Sequence, residues 1–166
     1  PEPDDVKKKL EGNVNMSNIR FFECETNDTW ARDHGAITVI NEGIPYIHDF
    51  CFNGWGMKFA ADKDNLITRK AFNSGVFNGQ YINCLDFVFE GGSIESDGQG
   101  TLLTTSECLL SPNKNDHLNR KEIEKRLQSE LYAEHILWLN NGYLAGDDTD
   151  SHVDTLARLC SDDTIL

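Results

Sequence analysis

The sequence predicts an α/β fold built from repeated β-β-α-β units, and three observations carry the prediction. Residues 36–40 and 44–50 flank Asn41-Glu42-Gly43, and residues 93–96 and 101–105 flank Asp97-Gly98, so both regions read as hairpins. Leu118, Ile123, Leu127 and Leu131 then fall on one face at helical spacing, which marks a core-facing helix after the second hairpin. The apolar run 135–139 follows as a buried strand. This order is not that of a doubly wound parallel sheet. No glycine-rich phosphate loop is present, so nucleotide binding has no support.

Taken in order, residues 1–11 read as a short helix. Pro1 and Pro3 precede it, Asp4 and Asp5 suit its first turn, and Lys7 to Lys9 sit towards its end, a charge order that complements the helix dipole. Gly12 stops it. Residues 19–24 are rich in β-formers and read as a strand. Residues 27–35 form a polar connection with one Trp before the first hairpin. After that hairpin, FNGWG at 52–56 sets two glycines around Trp55, which permits an unusual backbone path or a close approach of another segment. Residues 58–70 read as a polar stretch with a charged loop at 62–65. Its Asp62-Lys63-Asp64-Asn65 superficially resembles a calcium loop, but the required Gly and final Glu are missing. The strand 81–90 ends on Glu90-Gly91-Gly92, where a carboxylate can point into a crevice without crowding. Asn115-Asp116 supply a cap for the helix, which runs to about residue 133. The acidic stretch 146–154 leads into 153–159, whose alternation reads as a strand, and 162–166 begins another.

Composition bounds the function. The 166 residues suffice for one compact domain with a real core, and 39% hydrophobic with 26% charged residues is the balance of a globular protein. A net charge of −13 argues against nucleic acid or an anionic membrane surface as partner, and it is compatible with a cationic ligand. No apolar run is long enough to span a bilayer, and no signal peptide opens the sequence. The five cysteines, Cys24, Cys51, Cys84, Cys108 and Cys160, show no CxxC spacing, so neither a disulfide framework nor a zinc knuckle is expected, and a reducing, cytoplasmic setting fits.

Several residues carry candidate chemistry. His152 and Asp154 stand two apart, so a strand would project both from one face, the ingredients of acid–base work on a cationic substrate. A solvated acidic loop before an ordinary strand explains the same spacing. Trp30 with Asp33 suits a planar cation, while a structural Trp beside a surface Arg32–Asp33 pair is the bland reading. A metal hydrolase would draw on His34, His48 or His152 with Asp147, Asp148 and Asp150.

The resemblance to a known family rests on five motifs in order: NDTWARDHG at 27–35, FNGWG at 52–56, EGGSIESDG at 90–98, LTTSECLL at 103–110 and GDDTDSHVD at 146–154. Together they resemble the agmatine deiminases, also called Porphyromonas-type peptidyl-arginine deiminases, over nearly the whole sequence. The resemblance implies a pseudo-fivefold α/β-propeller, the pentein fold, built of ββαβ modules. It implies hydrolysis of a guanidinium group to a ureido group with release of ammonia through a Cys-thiouronium intermediate, without cofactor or metal. Matched residue by residue, Asp33 and Asp154 resemble the guanidinium-binding carboxylates, Trp30 the aromatic beside them, His152 the general acid/base and Glu90 the acid supporting it. Asp148 is the candidate for the substrate's far end. Paired carboxylates suit this chemistry because guanidinium is planar, forked and always charged.

Agmatine is the first expected substrate, feeding putrescine synthesis. A peptidyl-arginine side chain is the nearest alternative, and a non-catalytic acidic binding module the alternative from another class. Ala36, Ser151 and the Asn113-Lys114-Asn115 triplet depart from the family's usual Pro, Gly and Asn-Arg-Asn. The larger departure is the nucleophile, which in the family lies in a Gly-rich segment ending in His-Cys. None of the five cysteines has that context. Residues 1–166 are therefore expected to be a single partial domain. It would lack the ring's opening segment and its nucleophile segment, be inactive alone, and self-associate through exposed module edges.

Overall fold

The computed structural model describes residues 2–142, 144–149, 151–161 and 164–166. Two units of identical topology form its body. In the first, β1 (Ile37–Asn41) and β2 (Ile44–Cys51) pair antiparallel, and β3 (Gln80–Val88) returns parallel to β2. In the second, β4 (Ile94–Ser96) and β5 (Thr101–Thr105) pair antiparallel, and β6 (His135–Leu139) returns parallel to β5. Each parallel return needs a crossover, and helices supply it. A further antiparallel pair, β7 (Leu159–Ser161) with β8 (Thr164–Ile165), follows. The mixed α/β architecture and the ββαβ order are thus as the sequence indicates. No helix among the described residues is long and apolar enough to cross a membrane.

Helix α1 (Pro3–Leu10) sits within the expected 1–11, with Gly12 left-handed after it. Helix α2 (Ala31–His34) lies in the polar connection, and the single turn α3 (Gly54–Met57) in the FNGWG motif. In α3, Gly54, Trp55, Gly56 and Met57 all have positive φ, a left-handed path that glycine makes accessible. The first crossover closes with α4 (Ile67–Asn73), a helix that begins within the polar stretch, after its charged loop. The second contains α5 (Ser106–Leu109) and α6 (Arg120–Leu131). Ile123 and Leu127 of α6 are fully buried, in one core cluster with Phe50, Phe87, Phe89 and Leu102, so a single apolar core joins the two units.

Three expectations are corrected. Residues 19–24 pair with no strand: β-propensity needs a partner, and here the Arg20 side chain reaches out to the Gly75 carbonyl at 3.0 Å. Asn115 does not cap α6, because its amide clamps the Val88 backbone at 2.9 and 2.8 Å. Asn119 is the cap instead, in a reciprocal capping box with Glu122. The stretch read as a strand over 153–159 opens as a 3₁₀ turn, Val153–Thr155. Thr155 Oγ1 donates to the His152 carbonyl at 2.9 Å, a local bond that competes with a ladder. The strand starts only at Leu159, and Asp162 and Asp163 lie outside the described residues.

Candidate active site

The segments before, between and after the two units meet at one point, and Gly92 marks it. A Cβ on Gly92 would stand 2.5 Å from His152 Nδ1, 2.6 Å from Asp33 Oδ1 and 2.8 Å from Asp154 Oδ2. The space a side chain would fill is therefore taken by three polar groups from two other segments. His152 and Asp154 do converge, although through a turn and not on a strand face.

Each group is held by its surroundings. Asp33, on α2, is buried; its Oδ1 accepts from Gly92 N–H at 3.0 Å and its Oδ2 from the Trp55 indole at 3.1 Å. The left-handed α3 turn is what aims that indole. The surface pairing of Arg32 with Asp33 is not seen: Arg32 Nε lies 4.0 Å from Asp154. Glu90 leaves the end of β3 into the 3₁₀ turn Gly91–Ser93, with no solvent exposure. Its Oε2 meets His152 Nε2 at 2.9 Å and Lys114 Nζ at 2.5 Å. His152 is 1% exposed and bonded through Nε2, while its Nδ1 faces Asp33 Oδ1 at 3.6 Å, an ion-pair distance. The backbone before it is fixed by Thr105 Oγ1, which donates to the Ser151 carbonyl at 2.7 Å. Ser151 has φ 61, the left-handed region that the usual Gly would enter more easily.

The electrostatics follow from this burial. Burial works against a charge on His152, but hydrogen bonding to Cys108 and Glu90 outweighs it and pushes the imidazole up to about 10. Burial also opposes the Glu90 anion, yet His152 and Lys114 hold it below the usual carboxylate range. Asp154 is pushed up by burial, against the charge of His152 and with the help of Asp33. Two carboxylates beside each other thus form a place where an added cation is favoured.

These groups open on a cavity of about 430 Å³, whose walls include Trp30, Trp55 and Phe59 with Asp147, Asp148 and Thr155. Trp30 stands at the rim, 65% exposed. Its loop is held from below by the charged stretch 62–65. Buried Asp64 accepts from Asn27 N–H at 2.8 Å, and Asp28 Oδ1 accepts from Trp30 N–H at 2.9 Å. That stretch is a clasp for the Trp30 loop. Asp148 is exposed on the wall, with its carbonyl accepting from Lys58 Nζ at 2.7 Å. Asp150 lies outside the described residues. Sequence reasoning did not assign Trp55, Phe59 or Lys114 to the site. The two glycines around Trp55 were the available signal, whereas nothing local marks Lys114 as buried.

All five cysteines are free, and none lines the cavity. Cys108 is fully buried behind Glu90, at 4.0 Å from Oε2. Among the described residues, two clusters have metal-ligating types, Glu90–Cys108–His152 and His48–Cys84–Glu130. In the first, Lys114 Nζ lies 2.5 Å from Glu90 and 2.9 Å from Cys108, where a metal cation would have to sit. In the second, Arg126 Nε engages the other oxygen of Glu130 at 3.2 Å. His34 packs on Phe52, and neither it nor His48 lines the cavity; of the residues a metal hydrolase would draw on, His152, Asp147 and Asp148 do.

Comparison with known proteins decides the family. The model of the Porphyromonas-type peptidyl-arginine deiminases matches residues 2–166. The chain belongs to that family. It is 43% identical to an agmatine deiminase of Pseudomonas aeruginosa, over 82% of this chain and 38% of that protein. It is similar to the structure of a C. jejuni agmatine deiminase with substrate bound, with 42% identity and a TM-score of 0.86 over 99% of this chain and 48% of the other. An Enterococcus faecalis agmatine deiminase aligns with a TM-score of 0.81 and 36% identity, over 94% of this chain and 42% of that one. The chain thus spans less than half the length of these family members.

Proposed function

We propose that this chain carries the guanidinium-binding and proton-transfer half of an agmatine deiminase site. The observation that carries the reading is the convergence of Asp33, His152 and Asp154 on Gly92, at the floor of an aromatic-walled cavity. A guanidinium seated there donates to both carboxylates and relieves their mutual repulsion. Trp30, Trp55 and Phe59 supply faces and edges for a planar cation and an alkyl chain. His152, held as imidazolium by Glu90, hands a proton to the departing ammonia. As neutral imidazole it then draws a proton from the water that attacks the thiouronium carbon and expels the thiolate. The attacking thiolate comes from a cysteine other than the five present, because none of these reaches the cavity. The chain alone therefore binds without turning over. The two ββαβ units and the hairpin after them are read as successive modules of a pentein ring.

The deciding experiment measures ammonia release from agmatine by the complete gene product, beside its His152→Ala variant. Release that the variant loses is expected. Citrulline formed on an arginine peptide, with agmatine untouched, would move the reading to a protein-arginine deiminase. Silence on both substrates would leave a binding module.

A further inference from the structure

Glu90 is shared by two basic side chains. Lys114 Nζ lies 2.5 Å and His152 Nε2 2.9 Å from the same oxygen, Oε2, and all three side chains are at most 1% exposed. Lys114 is aimed inward by its two neighbours. The Asn113 carbonyl accepts from Asn53 Nδ2 at 2.7 Å, and the Asn115 amide grips the Val88 backbone. Neither Lys114 nor Cys108 lines the cavity, so neither touches a ligand there.

A proton count gives this arrangement a purpose. A carboxylate without solvent keeps its charge only while paired. With His152 as its sole partner, Glu90 would be stranded as a lone anion whenever the imidazolium gave up its proton. The imidazolium would therefore be held back from giving it up. Lys114 removes the conflict, because the Lys114–Glu90 pair is neutral whichever form His152 takes. We propose that Lys114 is a positioning residue, the fixed counter-ion that keeps Glu90 a carboxylate in both protonation states of His152. The proposal rests on the acid–base role given to His152 above.

The charges around His152 are consistent with it. Glu90, Asp33 and Asp154 face the ring, Cys108 lies behind, and Lys114 and Arg32 stand beyond the carboxylates they approach. Burial works against the Lys114 charge, but Cys108 and Glu90 outweigh it and hold the ammonium above its ordinary value, so it stays charged. As a point charge, lysine satisfies one oxygen only, and Glu90 Oε1 is buried with no hydrogen-bond partner. An arginine fork reaches both oxygens of a carboxylate.

The test reads the protonation of the His152 imidazole by nitrogen-15 NMR of this chain as pH is raised. In Lys114→Met the neutral imidazole at a given alkaline pH is expected to fall about tenfold, a titration moved up by about one unit. Lys114→Arg is expected to leave the titration in place. The signals of His34, His48, His117 and His135 report that the fold is kept. An unmoved or lowered titration in folded Lys114→Met would overturn the proposal. If that variant does not fold, Glu90→Gln/Lys114→Met, which no longer strands an anion, is expected to fold again, and its failure would also overturn it. No turnover is measured, so a failed deimination assay and a failed counter-ion are distinguishable.

Discussion

Gly92→Ala isolates the convergence on which the functional reading depends. Gly92 does not have a positive φ, so the backbone accepts alanine without strain, and the whole effect is one of space. The new methyl would lie 2.5, 2.6 and 2.8 Å from His152 Nδ1, Asp33 Oδ1 and Asp154 Oδ2, against at least 3.4 Å for ordinary contact. Each group must retreat by roughly 0.6–0.9 Å. None retreats freely, since Asp33 is bonded to Gly92 N–H and Trp55, and His152 to Glu90. Overpacking of this kind costs about 1–3 kcal/mol of stability. Displacement near 1 Å in a reacting constellation costs on the order of 100-fold in rate. Urea unfolding of the chain reads the first quantity, and agmatine turnover by the complete gene product the second. Calorimetric titration with agmatine is expected to show binding to the unaltered chain and none to the variant. Gly43→Ala is the control: its methyl meets nothing within 4 Å, although its φ of 77 strains an alanine. It is expected to lose stability and keep binding. A Gly92→Ala chain that binds agmatine unchanged would refute the shared-vertex geometry.

Other outcomes follow from the same structure. Trp55→Phe leaves Asp33 Oδ2 without its indole donor and is expected to cost about 1.5–3 kcal/mol by urea unfolding, with weaker agmatine binding. Leu127→Ala in the shared core is expected to cost about 2–5 kcal/mol and to unfold both units in one transition, seen as coincident circular dichroism and fluorescence curves. For pH, His152 is raised from 6.5 to about 10, so its stabilisation is complete below about 6.5 and is lost as pH rises through about 10. The difference in melting temperature between the chain and His152→Gln is expected to shrink over that window, and a constant difference would contradict the charged imidazole. Ile40, 71% exposed on β1, offers an apolar edge. Concentration-dependent association by light scattering, reduced in Ile40→Lys, is expected.

How far the sequence could be read depended on the range of the interactions involved. The hairpins were legible because turn chemistry and alternation are local, and α6 because Ile123, Leu127 and Leu131 repeat at helical spacing. Its cap was misread because Asn115 and Asn119 have the same local chemistry, and only the Val88 backbone, 27 residues away, claims Asn115. The strand over 153–159 failed for the same kind of reason: alternation is compatible with a 3₁₀ turn once Thr155 bonds back to His152. Glu90, Asp33, His152 and Asp154 stood out by local pattern and were given roles by motif resemblance, and the structure brings all four together. Lys114 was out of reach, since a lysine between two asparagines looks like a surface loop until its burial is known.

The location of the site follows from the repeat itself. Within each unit the strands and helices bury one another, which leaves little room for exposed chemistry. The ionisable groups that meet at Gly92 sit in the connections: Asp33 before the first unit, Glu90 between the units, and His152 and Asp154 after the second. Gly92 N–H bonds to Asp33 across 59 residues, and Glu90 bonds to His152 across 62. Equivalent places in successive repeats are thus brought side by side, and each contributes different residue types to one point. Units can supply rigidity while the connections vary, and packing in a unit and chemistry in a connection can be altered separately. Glu90 is where the two meet. It follows the last strand of the first unit by two residues, Lys114 reaches it from the crossover of the second, and His152 reaches it from beyond. A change in the packing of either unit against the other is therefore transmitted to His152 through this one carboxylate.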